Sequence, residues 1–193
     1  MSTIVVVKKD KRIVIGADTM QSQGSITIRN VYQPEGDKIF KFQQSYIGVT
    51  GSSAFTLVLR SLFKKHKELI NLSSAEEIFE TLLKIHPILK EKYFIETEES
   101  DDEGQEFESN QIFALIANKT GAYEIQSYRE VHNIDRYWAI GSGKRFALGA
   151  MHAIYGREKN PRVIAEKGLK AACEFDESSG LPLLIRSVSL EGQ

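Results

Sequence analysis

The chain has 193 residues, of which 41% are hydrophobic, and a formal net charge of -1 at pH 7. This length suits a single domain, residues 1–193, that buries roughly 70% of its unfolded surface, and the near-neutral charge excludes the basic field of proteins that bind nucleic acid or an anionic membrane. Cys173 is the one cysteine, which excludes an internal disulfide and fits a reducing cytoplasm.

The first eighteen residues predict a β-hairpin. Two β-branched runs, residues 4–7 and 13–15, flank a charged turn centred on Asp10, and Val and Ile suit a pleated strand. This centre places Ser2 opposite Asp18, one strand spacing away. The first apolar run is short and ends in two lysines, so we expect neither a secretory signal nor a membrane span.

Ser2 follows a methionine that processing enzymes usually remove. Removal would leave a free α-amine on the residue that carries the hydroxyl. An α-amine has a pKa of about 8, so part of it is neutral near pH 7 and can accept the hydroxyl proton. A hydroxyl paired with an N-terminal amine is a known catalytic arrangement. Many soluble proteins also begin with Met-Ser and use neither group in catalysis.

Residues 38–42 and 46–51 form a second predicted hairpin. A turn midway between them would place Lys38 opposite Thr50. Gly48 lies inside the second strand, where a glycine marks either a close approach to the backbone or a bulge.

The rest of the chain alternates predicted helices and strands. Four amphipathic helices begin at Ser52 or Ser53, at a Ser74–Glu77 capping box, after Gly143 and at Asn160-Pro161. Further strands are predicted at residues 25–31, 111–118, 122–128, 136–140 and 183–188, with a loop at 19–24. Pro87 should kink the second helix or end its first half. This order predicts an α+β fold, a four-layer α-β-β-α sandwich of two mainly antiparallel sheets with a helix pair outside each.

Two segments could carry other chemistry. Residues 96–108 hold eight acidic residues and predict an exposed loop, since they lack the ordered ligand spacing of a calcium site. Residues 141–143, Gly-Ser-Gly, fit either a phosphate-binding loop or a plain turn. The four histidines are scattered without ligand spacing, so we expect no metal and no cofactor.

Six short motifs, in the order in which they occur, resemble the proteasome β-subunit family of N-terminal nucleophile hydrolases. Most similar are its self-compartmentalising bacterial members, the HslV-type protease and the proteasome homologue of β-proteobacteria. The motifs are residues 2–7, 14–18, 37–40, 48–51, 140–143, and Asp176 with Ser179 before Gly180. The resemblance covers nearly the whole chain apart from the acidic loop.

The resemblance implies catalytic roles for Ser2, Asp18, Lys38, Gly48, Ser142, Asp176 and Ser179. Ser2 would be the nucleophile, Asp18 and Lys38 its charged partners, and the backbone N–H of Gly48 the donor to the oxyanion. The last three would hydrogen-bond near the amine and its proton-relay water. Either the α-amine or a neutral Lys38 could take the hydroxyl proton.

Gln21, Tyr46 and Thr50 are expected to line the pocket for the side chain that precedes the scissile bond, since 46, 48 and 50 share a strand face. The chain departs from the family in three respects. The nucleophile is typically Thr, whose methyl group Ser2 lacks; residues 33–36 look longer than in HslV-type chains; and the acidic loop has no clear counterpart.

The resemblance therefore implies a cytoplasmic peptidase subunit inside a closed homo-oligomeric double ring. It would hydrolyse unfolded proteins or peptides through an acyl-enzyme ester, and an ATP-dependent unfoldase is a possible partner because this chain has no P-loop. The alternatives are a catalytically silent ring subunit and, less favoured, an amidase that acts on small molecules.

Overall fold

The computed structural model of the chain describes residues 2–33, 37–98 and 105–191. The strands are β1 Thr3–Lys9, β2 Arg12–Asp18, β3 Gln21–Gln23, β4 Ile26–Ile28, β5 Ile39–Phe42, β6 Ser45–Thr50, β7 Phe113–Ala117, β8 Ala122–Ile125, β9 Val131–Asn133, β10 Tyr137–Gly141 and β11 Leu183–Ser189. The helices are α1 Ser53–Lys65, α2 Ala75–Tyr93, α3 Lys144–Tyr155 and α4 Pro161–Phe175, with a short 3-10 helix at Lys67–Leu69.

Two antiparallel sheets form the centre of the molecule. One has the strand order β10-β1-β2-β11 and the other β5-β6-β7-β8-β9, while β3 and β4 form a separate two-stranded sheet. One apolar cluster lies between the two large sheets. A second cluster lies between the five-stranded sheet and α1 and α2, and a third between the four-stranded sheet and α3 and α4. The predicted four-layer α+β architecture is confirmed.

β1 shows how the sequence builds these layers. Side chains alternate across a strand, and Ile4 and Val6 pack between the sheets whereas Val5 and Val7 pack against the helices of the third cluster. All four are fully buried. Because both faces of β1 are covered, its apolar run is continuous instead of alternating.

The first hairpin differs from its predicted register by one residue. Its turn consists of two residues, Asp10 and Lys11, which both have positive φ angles of 46° and 53°, as a two-residue hairpin turn requires. Ile4 therefore pairs with Ala17, and Thr3, the residue before Ile4, faces Asp18. The prediction that Ser2 lies directly opposite Asp18 is wrong, because it assumed a turn centred on one residue.

The second hairpin shows the same one-residue shift. Ile39 pairs with Gly48, and the N–H of Val49 donates to the carbonyl of Lys38 over 3.0 Å. Lys38 therefore lies opposite Val49 and not, as predicted, opposite Thr50. A one-residue shift exchanges the two faces of a strand. It therefore determines which side chains of β6 reach the candidate site described below.

The helix starts agree with the sequence. The side chains of Ser52, Ser74 and Asn160 cap α1, α2 and α4, and Pro161 is the first residue of α4. Pro87 lies inside α2, which continues through it. The short strands β3 and β9 were not predicted, because three residues are too few to show a periodicity.

The central part of the acidic stretch 96–108 lies outside the described residues, and so do residues 34–36. Within the described part of the chain, none of the helices has the length and apolar character needed to cross a membrane.

Candidate active site

A cavity of about 650 Å³ opens beside the start of β1. Its wall includes Ser2, Lys38, Val49, Gly51 and, from α1, Arg60. Its volume is in the range of sites that bind small molecules or single side chains. The strand ends that meet here belong to both large sheets, so the cavity exists only in the packed molecule.

Asp18 is the buried centre of the charged groups next to this cavity. Its side chain has no exposed surface. Oδ1 accepts hydrogen bonds from the N–H of Thr3 at 2.9 Å and from Nζ of Lys38 at 2.7 Å. Oδ2 accepts from the N–H groups of Met20 and Gly180, each at 3.1 Å. Four donors thus compensate a carboxylate that burial would otherwise disfavour.

Lys38 is the only cation bonded to Asp18 among the described residues. The lysine is 8% exposed, and its burial lowers the pKa of the ammonium below the ordinary 10.5, an effect that the charge of Asp18 partly opposes. Because Lys38 also lines the cavity, it presents a positive charge to the space beside Ser2. A nearby cation favours ionisation of a hydroxyl.

Three predicted residues form a hydrogen-bonded group behind the start of β1. Oδ2 of Asp176 accepts from the hydroxyls of Ser142 at 2.8 Å and Ser179 at 2.6 Å. The Ser179 hydroxyl lies 2.7 Å from Oγ1 of Thr3, which also accepts from the N–H of Gly143 at 3.1 Å. The group therefore connects the segment that follows α4 to Thr3.

The 141–143 turn holds the backbone of Ser2. The N–H of Ser142 donates to the carbonyl of Ser2 over 2.9 Å. Gly141 has a φ angle of +96°, and a Cβ atom there would lie 1.8 Å from the same carbonyl oxygen. Only glycine allows this approach. The segment is thus a turn that positions the chain start, and its N–H groups bond to Ser2 and Thr3 instead of a phosphate.

The structure does not bring Gly48 to the cavity. The side of Gly48 that would carry a side chain faces the other sheet, where an added Cβ atom would lie 2.8 Å from Cγ2 of Ile4. Since the N–H of Val49 points to β5, the N–H of Gly48 points the other way, to Leu115 of β7. Gly51, three residues later, follows β6 with a φ angle of +102° and does line the cavity.

Of the three predicted pocket residues, Gln21 lines the cavity, whereas Tyr46 and Thr50 are not part of its wall. Tyr46 packs against the cluster between the sheets, and Oγ1 of Thr50 lies 3.4 Å from the carbonyl of Phe113. The one-residue shift of the hairpin explains this, since it turns Val49 towards the cavity.

Cys173 lies on α4 near the charged groups. Burial raises the pKa of its thiol to about 11, and the charge of Asp18 adds to this effect. The thiol is therefore protonated at neutral pH, and a protonated thiol is a poor nucleophile.

Sequence reasoning missed Thr3, Gly51 and Gly141 as site residues. A Gly that ends a strand beside a Ser or a turn is the signal for Gly51 and Gly141. The sequence indicates Thr3 less clearly as a site residue, because the contact of Thr3 with Asp18 depends on the hairpin register.

Comparisons with known proteins bear on the family and the fold of the chain. A family model described as "Proteasome subunit" matches residues 1–181. A curated relative, the proteasome subunit beta of Nanoarchaeum equitans, is 25% identical over 206 residues, which cover 100% of this chain and 95% of the relative.

Solved structures give the same result. The Thiobacillus denitrificans protein named BPH, in complex with epoxomicin, is 34% identical with a TM-score of 0.90 over 98% of this chain and 100% of its own. Eukaryotic HslV from Trypanosoma brucei is 20% identical with a TM-score of 0.70 over 97% of this chain and 99% of its own, which is a likeness of fold.

Proposed function

Since the chain belongs to the proteasome subunit family, we propose that it is a peptidase subunit whose nucleophile is the hydroxyl of Ser2 after removal of Met1. The observation that carries this proposal is the buried Asp18 carboxylate. It joins the backbone of Thr3 to Lys38 at 2.9 and 2.7 Å, beside a cavity lined by Ser2. A cation held beside the cavity that Ser2 lines favours ionisation of the hydroxyl.

In this mechanism the α-amine of Ser2 takes the hydroxyl proton and Lys38 remains positively charged. The contact of Lys38 with Asp18 favours its charged form. Oγ of Ser2 attacks the carbonyl carbon of the peptide, and the resulting ammonium then gives its proton to the leaving amine. Water hydrolyses the acyl-enzyme ester and restores the hydroxyl.

The oxyanion of the tetrahedral intermediate needs a donor on the cavity wall. We assign this role to the backbone N–H of Gly51 in place of Gly48, because Gly51 lines the cavity and Gly48 faces the core. A donor of this kind lowers the barrier by roughly 3 kcal/mol. Ser142, Asp176 and Ser179 hold the chain start and the surroundings of the amine.

The family membership further supports a closed double ring of identical subunits in the cytoplasm, in which each chain is one domain. Its substrates are unfolded proteins or peptides. The energy for unfolding comes from a separate ATP-dependent partner.

Epoxomicin tests the catalytic proposal. An epoxyketone has two electrophilic positions and can react with both a hydroxyl and an adjacent amine. We expect intact-mass analysis to show one adduct on a chain that begins at Ser2, no adduct on Ser2→Ala, and an unchanged adduct on Ser187→Ala, which removes an exposed hydroxyl of β11.

Two results would contradict the proposal: the absence of any adduct on the wild-type chain, or an equal adduct on Ser2→Ala. A purified chain that retains Met1 and forms no adduct would instead support the alternative of a catalytically silent ring subunit.

A further inference from the structure

The cavity beside Ser2 contains two hydrogen-bond donors that the catalytic mechanism does not use. Nε of Arg60 and Nε2 of Gln21 are buried, and neither has a hydrogen-bond partner among the described residues. Both side chains line the cavity. Buried donors are nearly always paired in folded proteins, so two unpaired donors on one cavity wall indicate a ligand that accepts hydrogen bonds.

Arg60 is held in place by its neighbours. It shares one face of α1 with Ser53 and Leu57, at helical spacing, and all three line the cavity. Nη2 of Arg60 donates to the backbone carbonyl of Asp37 over 3.1 Å, and its guanidinium lies 5.6 Å from the ring centroid of Phe40. These contacts fix the plane of the guanidinium and leave Nε unbound.

The charge of Arg60 is also uncompensated. Lys38, the other cation of the cavity wall, bonds to the buried carboxylate of Asp18. No ion pair involves Arg60 within the described ranges, and it is the backbone carbonyl of Asp37, not its carboxylate, that accepts the hydrogen bond. Asp37 also lines the cavity, but none of the ion pairs among the described residues joins its carboxylate to Arg60. A guanidinium on a partly buried wall that no carboxylate binds favours an anionic ligand with oxygen acceptors.

We propose that this cavity selects substrates with an acidic side chain, glutamate or aspartate, directly before the scissile bond. The proposal rests on the proposed function, since it needs Ser2 as the nucleophile. The carboxylate bonds to the guanidinium of Arg60 and the side-chain amide of Gln21, and the methylene groups of the side chain pack on Met20, Val49 and Leu57. A carboxylate accepts hydrogen bonds and donates none, which matches a pair of donors.

Three fluorogenic peptides that differ only in the residue before the scissile bond test this selection. That residue is Glu, Gln or Leu, and kcat and KM are measured for each with the assembled wild-type protein. We expect the highest kcat/KM for Glu, a lower value for Gln, which keeps one acceptor oxygen and loses the charge, and the lowest for Leu.

Arg60→Met removes the charge and the donors but keeps a long unbranched side chain. Because a hydrogen bond between charged partners is strong, the ratio of kcat/KM for Glu to that for Leu should fall by roughly 10- to 100-fold, mainly through KM. Gln21→Leu should lower the same ratio by a smaller factor. Lys64→Met removes an exposed cation of the same helix outside the cavity and should leave the ratio unchanged.

The outcomes separate the two proposals. Cleavage of the Leu peptide with little or no cleavage of the Glu peptide would overturn the acidic preference and leave the peptidase proposal standing. A Gln peptide that is cleaved faster than the Glu peptide would overturn the carboxylate assignment. A parallel loss for all three peptides in Arg60→Met would show that Arg60 only supports the fold. No cleavage of any peptide, together with no epoxomicin adduct, would overturn the peptidase proposal itself.

Discussion

At the scale of single residues, Asp18 has the largest effect on the candidate site. A buried carboxylate is unfavourable unless donors surround it, and here three backbone N–H groups and one ammonium do so. The same contacts fix the start of β1, the residues after β2 and the position of Lys38. Stability and the geometry of the site thus depend on one side chain.

Asp18→Ala should therefore destabilise the chain strongly. The change leaves Lys38 as a buried cation without a partner and three N–H groups without an acceptor, and breaking a buried pair typically costs about 3–5 kcal/mol. The free energy of unfolding from urea titration measures this loss. Asp135→Ala, which removes an 88% exposed side chain paired with Lys8, should cost less than ~1 kcal/mol. Equal losses in the two variants would contradict the role of Asp18.

The pH dependence of activity should reveal which charge state of Lys38 catalysis requires. Burial lowers the pKa of Lys38, so the ammonium loses its proton below pH 10.5. If activity needs the positive charge, kcat/KM rises as the α-amine becomes neutral and falls at alkaline pH with a midpoint below 10.5. In Lys38→Arg the guanidinium keeps its charge, and this alkaline fall should disappear. A rate that instead rises through the pKa of Lys38 would make the neutral lysine the base.

At the scale of elements, the connection from β10 to α3 decides where the chain start lies. Residues 141–143 contact Ser2 and Thr3 through two backbone N–H groups and a glycine without a Cβ. The flanking strand β10 pairs with β1 up to Thr3 and Gly141. A rigid strand pair and a tight turn thus place the first residues of the chain, which would otherwise be flexible.

Gly141→Ala should reduce activity and also lower the free energy of unfolding. Its Cβ would overlap the carbonyl oxygen of Ser2 at 1.8 Å and its φ angle is unfavourable for alanine, so the chain start must move. A displacement of about 1 Å at a reacting group can cost roughly 100-fold in rate, which kcat/KM for a cleaved peptide measures.

Gly149→Ala is the matched control for this prediction. Gly149 lies on the exposed face of α3, where an added Cβ meets no atom within 4 Å. Alanine there should raise the free energy of unfolding by about 0.5–1 kcal/mol and leave kcat/KM unchanged. Full activity of Gly141→Ala would show that the turn does not position Ser2.

At the scale of the whole molecule, the two sheets bring together strand ends that lie far apart in the sequence. Asp18 comes from the four-stranded sheet, and Lys38 precedes the five-stranded sheet. The apolar cluster between the sheets fixes their separation. Interiors are close-packed, so a change of volume in this cluster is transmitted to the site.

The assembled protein should have the mass of a double ring of chains that begin at Ser2. Native mass spectrometry measures the assembly, and denaturing mass spectrometry of the same sample identifies the first residue. A monomer of the full chain that nevertheless forms the epoxomicin adduct would separate catalysis from ring assembly and would contradict the proposed compartment.

The sequence was most informative where local physical chemistry decides the outcome. The caps at Ser52, Ser74 and Asn160 follow from side chains that accept from nearby N–H groups. The β-branched runs of residues 4–7 and 13–15 predicted the first hairpin, which β1 and β2 form, and the order of elements predicted the four layers. These features depend on residues a few positions apart.

Tertiary structure alone decided the register of the two hairpins and therefore the faces of their strands. The sequence does not state whether a turn has two residues or a single central one, and that choice moves Thr3 opposite Asp18 and turns Val49, in place of Thr50, to the cavity. It also moves Gly48 into the core and leaves Gly51 on the cavity wall. The residue types of the site were readable in the chain, but their contacts depend on packing between distant segments, for which a single sequence contains no local signal.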